Sequence, residues 1–188
     1  GWIGLQDQVR PEAKEALAAL LENKVRRVAM VTGDRQPVAA REAAEIGCDE
    51  VVAECLPQNK VEFVRGLRAK GYRVAVVGDG VNDAPALAAG DMGIAMGAAG
   101  SEVAIHSATV ALMNNDLKRL PFLVRLSRQT RGVINQNFLF GVLFVVGGLL
   151  LAALKLIDPV VAAVLNVAGS LLVVLNSGRL VRAGEEMA

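Results

Sequence analysis

Asp79 and Asp83 stand four residues apart in the stretch "VVGDGVNDAPAL", residues 76–87. A carboxylate oxygen is a hard ligand. Two of them with few other protein donors suit Mg2+, which keeps several waters and takes a phosphate oxygen. Gly78 and Gly80 flank Asp79 and let the backbone turn tightly there, and Asn82 adds a neutral hydrogen-bonding group. A bare Gly-Asp or Asn-Asp pair reads as an ordinary turn capping a helix, here one starting near Pro85. Two aspartates, two glycines and a proline within twelve residues read instead as a cation site.

Two other stretches carry groups suited to a phosphoryl oxygen. "MVTGD", residues 30–34, offers the Thr32 hydroxyl and the approachable N–H of Gly33, with Asp34 next; alone, Thr-Gly-Asp is equally a common turn. "PQNK", residues 57–60, puts Lys60 at the start of a helix as a point charge for an anion; alone, it reads equally as a surface lysine. Cys48 and Cys55 have six residues between them, not the two of a zinc or redox pair, and read as small buried thiols of a reducing compartment. His106 reads as structural.

The elements that would position these groups alternate. Residues 11–24, 36–47 and 57–71 show apolar positions at helical spacing, and the last two close on glycine. Between them lie short β-rich runs over 25–34, 50–53 and 72–80, then a short helix over 84–90, a strand "MGIAM" and a strand "TVALM" over 109–113. Strands alternating with helices predict a parallel sheet with helices on both faces. In such sheets chemistry sits at the carboxyl ends of the strands, where both "TGD" and "GDGVND" fall.

The 188 residues divide in character: hydrophobic residues make up 53% and charged residues 21%, and nearly all the charge precedes residue 132. Residues 115–134 form a basic amphipathic connector that Asn115 or Asp116 can cap and Pro121 can kink. Residues 137–156 and 160–181 are apolar on every face and long enough to cross a bilayer core of ~30 Å, predicting a transmembrane hairpin in the lipid bilayer. Gly147 and Gly148 mark a bending or close-packing point in the first span. Arg119, Arg125, Arg128 and Arg131 precede the first span and Arg179 and Arg182 end the second, whereas the turn has only Lys155, offset by Asp158. The positive-inside rule puts the outer ends, and the hydrophilic part, in the cytoplasm. A net charge of +1, with no basic patch interleaved with aromatics, predicts no nucleic-acid partner. The amphipathic start is not that of a secretory signal, and a chain beginning with Gly1 is expected to be a piece of a longer polypeptide.

Taken in order, Thr32, Lys60 and the late aspartate pair resemble the haloacid dehalogenase-like phosphotransferases. In more detail the sequence resembles the C-terminal part of a P-type ATPase of the heavy-metal class. "GLQDQVRPEAKEAL" is similar to that family's Asp-x-x-Arg-Pro segment, with Asp7 and Arg10 at its charged positions. "TGD", "LPQNK" and "VGDGVNDAPAL" follow in family order, and "GAAGSEVAIHSATVALMNNDL" and "LSRQTRGVINQN" resemble the link into the last two membrane helices. The resemblance implies an α/β fold: a partial haloacid dehalogenase-like Rossmannoid parallel sheet followed by a two-helix transmembrane hairpin. Residues 1–114 would be the C-terminal part of the phosphorylation domain, 115–136 the connector, 137–156 and 160–181 membrane helices, and 182–188 a cytoplasmic tail. It also implies ATP-driven export of a metal cation at the cell membrane, through an aspartyl-phosphate. The Asp-Lys-Thr-Gly of the phosphorylated Asp is not in this sequence and would lie upstream, as would most of the ATP-binding residues. By position, Asp79 and Asp83 would bind Mg2+, Thr32 and Lys60 would hold the phosphoryl group, and Gly33, Asp34 and Asn82 would shape the site.

The transported metal is read from the spans. Copper members carry Tyr-Asn where this sequence has Phe144-Val145, and a Met and a Ser pair where it has Asn166, Gly169 and Ser170. Zinc and cadmium members carry a Lys and an Asp at the positions of Val145 and Asn166. The copper signature is absent, which favours a divalent cation. Asn166 and Ser170 are the candidate ligands, although polar groups within a span, Asn176 included, serve equally as interhelical glue. Two other functions remain open on sequence alone: a membrane-anchored phosphatase of the same fold, and a non-catalytic Mg2+-binding membrane module.

Overall fold

The computed structural model describes residues 9–48, 50–79, 82–97 and 102–185. The chain divides into two compact units, residues 1–121 and 122–188.

In the first unit, α1 (Ala13–Glu22), β1 (Ala29–Val31), α2 (Gln36–Ile46), β2 (Glu50–Val52), α3 (Pro57–Ala69), β3 (Ala75–Gly78), α4 (Ala84–Ala89), β4 (Met92–Ala95), α5 (Glu102–Ser107) and β5 (Val110–Ala111) follow one another. Pro37 and Pro57 sit in the first turns of α2 and α3, where the missing N–H has no helical acceptor to lose. Gly47 ends α2 in the left-handed conformation, as its place after the helical run predicts. The cysteine reading holds for Cys48, whose buried Sγ lies 3.5 Å from the Val28 carbonyl and 3.3 Å from that of Glu50. Cys55 is only half-buried, and both thiols are free.

Among the described residues all strand pairs are parallel. They form a two-stranded sheet, β1-β2, and a three-stranded sheet, β3-β4-β5, rather than the single sheet expected. The core is built from small residues. Leu87 of α4 and Ala95 of β4 pack with Val76, Ala108 and Ala111. Leu17 of α1 packs with Ala43 and Cys48, backed by Val28, Met30, Ile46 and Val51. Alanine at these contacts lets the helices lie close on the strands, at the cost of little apolar area per residue.

The final elements are α6 (Arg119–Ala153) and α7 (Pro159–Glu185). Helix α6 starts within the first unit and runs on through most of the second without a break, so connector and span are one helix. Pro121 is its third residue and costs no internal hydrogen bond there, and the helix continues past it. Helix α6 stops at Ala153, short of the expected 156, because Lys155 takes a left-handed φ of 56°. Within the second unit α7 meets α6 at two levels. Asn176 Nδ2 donates to Asn137 Oδ1 at 2.8 Å, and Asn137 Nδ2 donates to Ser177 Oγ at 2.8 Å. Nearer the turn, Gly169 is buried under Phe144, whose ring leaves 3.0 Å for a Cβ there. Close approach therefore falls at Gly169 and not at Gly147 or Gly148, which have open space on their faces. Both helices are long and apolar enough to cross a membrane, with mean hydropathy 2.0 and at most 6% of the window buried. A core helix of similar length would be covered by protein; here Phe138 is 75% and Val160 74% exposed.

Candidate active site

The loops at the carboxyl ends of β1, β2 and β3 carry the predicted groups. After β1, the Thr32 hydroxyl donates to Asp34 Oδ2 at 2.5 Å, and the Asp34 N–H donates back to Thr32 Oγ1 at 3.2 Å. The loop after β2 fastens this turn: the Cys55 N–H donates to the Thr32 carbonyl at 2.9 Å and the Glu54 N–H to that of Asp34 at 2.8 Å. Thr32 is half-buried, while Gly33 and Asp34 are exposed.

Lys60 stands in the first turns of α3, whose start is fixed by Pro57 and by the Asn59 side chain accepting the Leu56 N–H at 3.0 Å. Its ammonium reaches Asp83 Oδ1 at 2.7 Å, with both side chains 21% exposed. Asp83 is the N-cap residue of α4, though its side chain makes no capping bond. Instead it lies over Gly78, the last residue of β3. A Cβ on Gly78 would sit 2.7 Å from Asp83 Oδ2 and 2.8 Å from Asp83 Cβ. Gly78 is thus required for room; its φ is not in the left-handed region, which corrects the tight-turn expectation for this glycine. Gly80 falls outside the described residues.

Asp79 follows β3 and is exposed, and neither it nor Asn82 makes a hydrogen bond among the described residues. The structure therefore joins Lys60 to Asp83 and Thr32 to Asp34, and leaves Asp79 and Asn82 open at the same strand end as Asp83. No group of three metal-ligating side chains forms among the described residues. Two carboxylates alone still fit Mg2+, whose remaining positions go to water and phosphate oxygens.

The opposite end of β3 has a device that the sequence did not announce. Asp91 accepts the Val74 N–H at 2.9 Å and meets Arg68 at 3.3 Å and Arg73 at 3.4 Å. The Val74 hydrogen bond, with the two guanidinium groups behind it, holds the Asp91 carboxyl below the usual carboxylate range against the opposing effect of burial. Arg68 also donates to the Ala89 carbonyl at 2.9 Å. These bonds tie the end of α3 to the end of α4, which helps set the spacing between Lys60 and Asp83.

The candidate ligands in the span are not brought together. Ser170 Oγ donates to the Asn166 backbone carbonyl one turn back, at 3.1 Å, and both residues are exposed. Asn176 instead joins Asn137, Gln136 and Arg179, as the interhelical alternative predicts. Asn137 and Ser177 escaped sequence reasoning, although polar residues at the edge of an apolar run were the signal for them. Of the Asp-x-x-Arg-Pro pair, Asp7 lies outside the described residues, and Arg10 donates to the Asn115 carbonyl at 2.6 Å.

Comparison with known proteins supplies the lineage. Residues 2–91 match the family of haloacid dehalogenase-like hydrolases. A zinc-exporting P-type ATPase of Mycobacterium marinum is 50% identical over 97% of this chain and 25% of its own length. The chain belongs to the heavy-metal class of P-type ATPases. A manganese-exporting P-type ATPase of Mycobacterium leprae is 49% identical over the same shares of the two chains. A probable cadmium-transporting ATPase of Alkalihalophilus pseudofirmus is 42% identical over 97% of this chain and 25% of its own. Among solved structures, a zinc-transporting PIB-type ATPase superposes with a TM-score of 0.84 at 35% identity, over 93% of this chain and 28% of that one. The chain spans about a quarter of the length of these P-type ATPases.

Proposed function

We propose that this chain supplies half of the aspartyl-phosphate site and two membrane helices of an ATP-driven exporter of a divalent metal cation. The carrying observation is the Lys60–Asp83 pair, seated over Gly78 at the carboxyl end of a parallel strand. In the proposed reaction a carboxylate oxygen of an Asp upstream of this chain attacks the γ-phosphorus of ATP, and the bond to the departing ADP oxygen breaks. Water then cleaves the acyl phosphate and releases inorganic phosphate. Phosphoryl transfer of this kind depends on positioning and charge neutralisation. The Lys60 ammonium offsets charge on the phosphoryl oxygens while keeping Asp83 in place. The exposed Gly33 N–H is a donor for the same oxygens, and the Thr32 hydroxyl, whose proton goes to Asp34 Oδ2 in the structure, would turn from Asp34 to them when they are bound. Asp79 and Asp83 would hold Mg2+, which when bound neutralises phosphate charge.

The split sheet supports an upstream strand carrying the phosphorylated Asp. Val77 on β3 is 42% exposed, although inner strands of such sheets are covered on both faces. Strand β3 is the end strand of its sheet among the described residues, so its free edge can pair with an added strand, and a helix packed on that strand would cover Val77. A divalent cargo is supported by the zinc, manganese and cadmium named for the relatives, and by the lack of Met and Cys throughout α6 and α7, since soft ligands select Cu(I). The hydrophilic unit would face the cytoplasm at the cell membrane.

The test is phosphorylation from γ-labelled ATP in the full-length protein that carries this chain. Asp79→Asn should lower acid-stable labelling by about 100-fold or more, the scale of losing one preorganised charge-stabilising group, and Zn2+, Mn2+ or Cd2+ should stimulate turnover of the unsubstituted protein. Undiminished labelling in Asp79→Asn would sink the Mg2+ assignment, and stimulation by Cu+ alone would sink the divalent cargo.

A further inference from the structure

The segment between β5 and α6 is held with unusual firmness for a surface connection. Gly97, just past β4, has a φ of 61°, and a Cβ there would collide with the Oδ1, Cγ and Nδ2 atoms of Asn115. The Gly97 N–H donates to the Asn114 carbonyl at 3.3 Å. On the other side the Asn115 carbonyl accepts the Arg10 guanidinium at 2.6 Å. The Lys118 ammonium lies 2.9 Å from Glu15 Oε2 on α1, and the Lys118 N–H donates to Asp116 Oδ1 at 2.9 Å. Residues 114–118 are thus pinned between the end of β4 and the start of α1. Helix α6 begins at Arg119, and Leu120 is buried.

The other side of Gly97 leads to the candidate active site. The neighbouring Met96 N–H donates to the Gly78 carbonyl at 2.8 Å, and Gly78 is the residue on which Asp83 rests. Between the Asp83 carboxylate and the first residue of α6 stand Gly78, the Met96–Gly97 corner, Asn115 and the pinned segment. A shift of β3 or β4 at the site reaches residues 114–118 through the Gly97–Asn115 contact as well as through the pairing of β4 with β5.

We propose that Gly97 and Asn115 are positioning residues that fix the register between the phosphoryl site and the start of α6. Neither touches the reacting groups. Their work is to keep the pinned segment from slipping when the site changes occupancy. The proposal rests on the phosphoryl-transfer function proposed above for the site. Glycine is needed at 97 for its left-handed backbone and for the space Asn115 fills. The colliding atoms belong to the end of a side chain, so an added methyl group displaces Asn115 rather than the strand.

The experiment is a double-mutant cycle in the full-length protein. Gly97→Ala should lower cation-stimulated ATP turnover about tenfold, within the range of coupling carried by one contact network, with phosphoenzyme formation from ATP nearly unchanged. Asn115→Ala, which removes the same contact, should lower turnover to a similar degree, and the double variant should fall little below either single variant. Amide hydrogen exchange over residues 115–121 should rise in Gly97→Ala, in Asn115→Ala and in the double variant alike. Unchanged turnover in either single variant, an equal fall in phosphoenzyme and turnover with a lower melting temperature, or losses that simply add in the double variant would each overturn the proposal. If the unsubstituted protein forms no phosphoenzyme, the active-site function fails instead. The exchange rates then judge the joint alone, and unaltered exchange over 115–121 in Gly97→Ala overturns it.

Discussion

Gly78 shows how one missing Cβ can organise a site. Asp83 reaches Lys60 because it lies flat over Gly78, and a methyl group at Gly78 would meet Asp83 at 2.7–2.8 Å. That is well inside van der Waals contact, so the Asp83 side chain must swing away and release the ammonium held at 2.7 Å. In the full-length protein, Gly78→Ala is expected to cut phosphoenzyme formation by about 100-fold, the effect of misplacing a reacting or supporting group by about an ångström. The melting temperature should move little, because only a partly exposed pair is disturbed. Labelling at the unsubstituted level would mean that Asp83 needs no seat. Asp79 and Asp83 were legible in the sequence through their spacing between glycines. The role of Gly78 was not, because a string of letters does not tell a glycine kept for room from one kept for its φ. Lys60 was ambiguous for a related reason: its partner lies 23 positions away, and only the fold brings α3 and α4 together.

At the scale of elements, the order of helices and strands could be read from apolar periodicity and glycine stops, and α1 to α4 fall where that pattern puts them. The connector read as a helix that Asn115 or Asp116 can cap, and what did not read is that this helix continues into the span. Pro121 looked able to kink the connector, whereas as the third residue of α6 it costs no internal hydrogen bond. Asp91 was also hidden, since a single aspartate after a glycine has no pattern. Its folded-state pKa lies below the ordinary value. The stability it contributes is therefore present above the unfolded carboxylate pKa, about 3.9, and lost as pH falls through the lower folded value. Asp91→Asn should lower stability at neutral pH and flatten the acid limb below about pH 4, as followed by thermal unfolding across pH. An acid limb identical to that of the unsubstituted protein would contradict this role. In the second unit, Asn176 bonds to Asn137 and Gln136 across the helix pair, whereas the exposed Asn166 has no such partner. Asn176→Leu should destabilise the detergent-solubilised protein by about 0.6–2 kcal/mol, the range for interhelical polar bonds. Asn166→Leu should cost less, and an equal loss from the two substitutions would remove the distinction between clasp and free face.

For the whole molecule, the division between a charged α/β unit and an apolar helix pair was the most legible feature, because membrane spans announce themselves by length and lack of charge. The split of the sheet could not be read, since which strands pair depends on contacts far apart in sequence. The orientation of the hairpin follows from a charge asymmetry. No Asp or Glu occurs between Asp116 and Asp158, and Arg119, Arg125, Arg128 and Arg131 line the entry to the first span while Arg179 stands near the exit of the second. The turn has Lys155 with Asp158 as its offset. Cationic residues close to span ends are retained in the cytoplasm, so the turn should face the outside. In a protein whose native cysteines are replaced, a cysteine at Lys155 should react with a membrane-impermeant maleimide added to intact cells. A cysteine at Ser127, which is exposed on α6, should react only after the membrane is opened. Labelling of Ser127→Cys but not Lys155→Cys in intact cells would invert the topology. It would also place the Lys60–Asp83 site on the side of the membrane that lacks ATP, so the same pair of labels tests both the orientation and the proposed use of ATP.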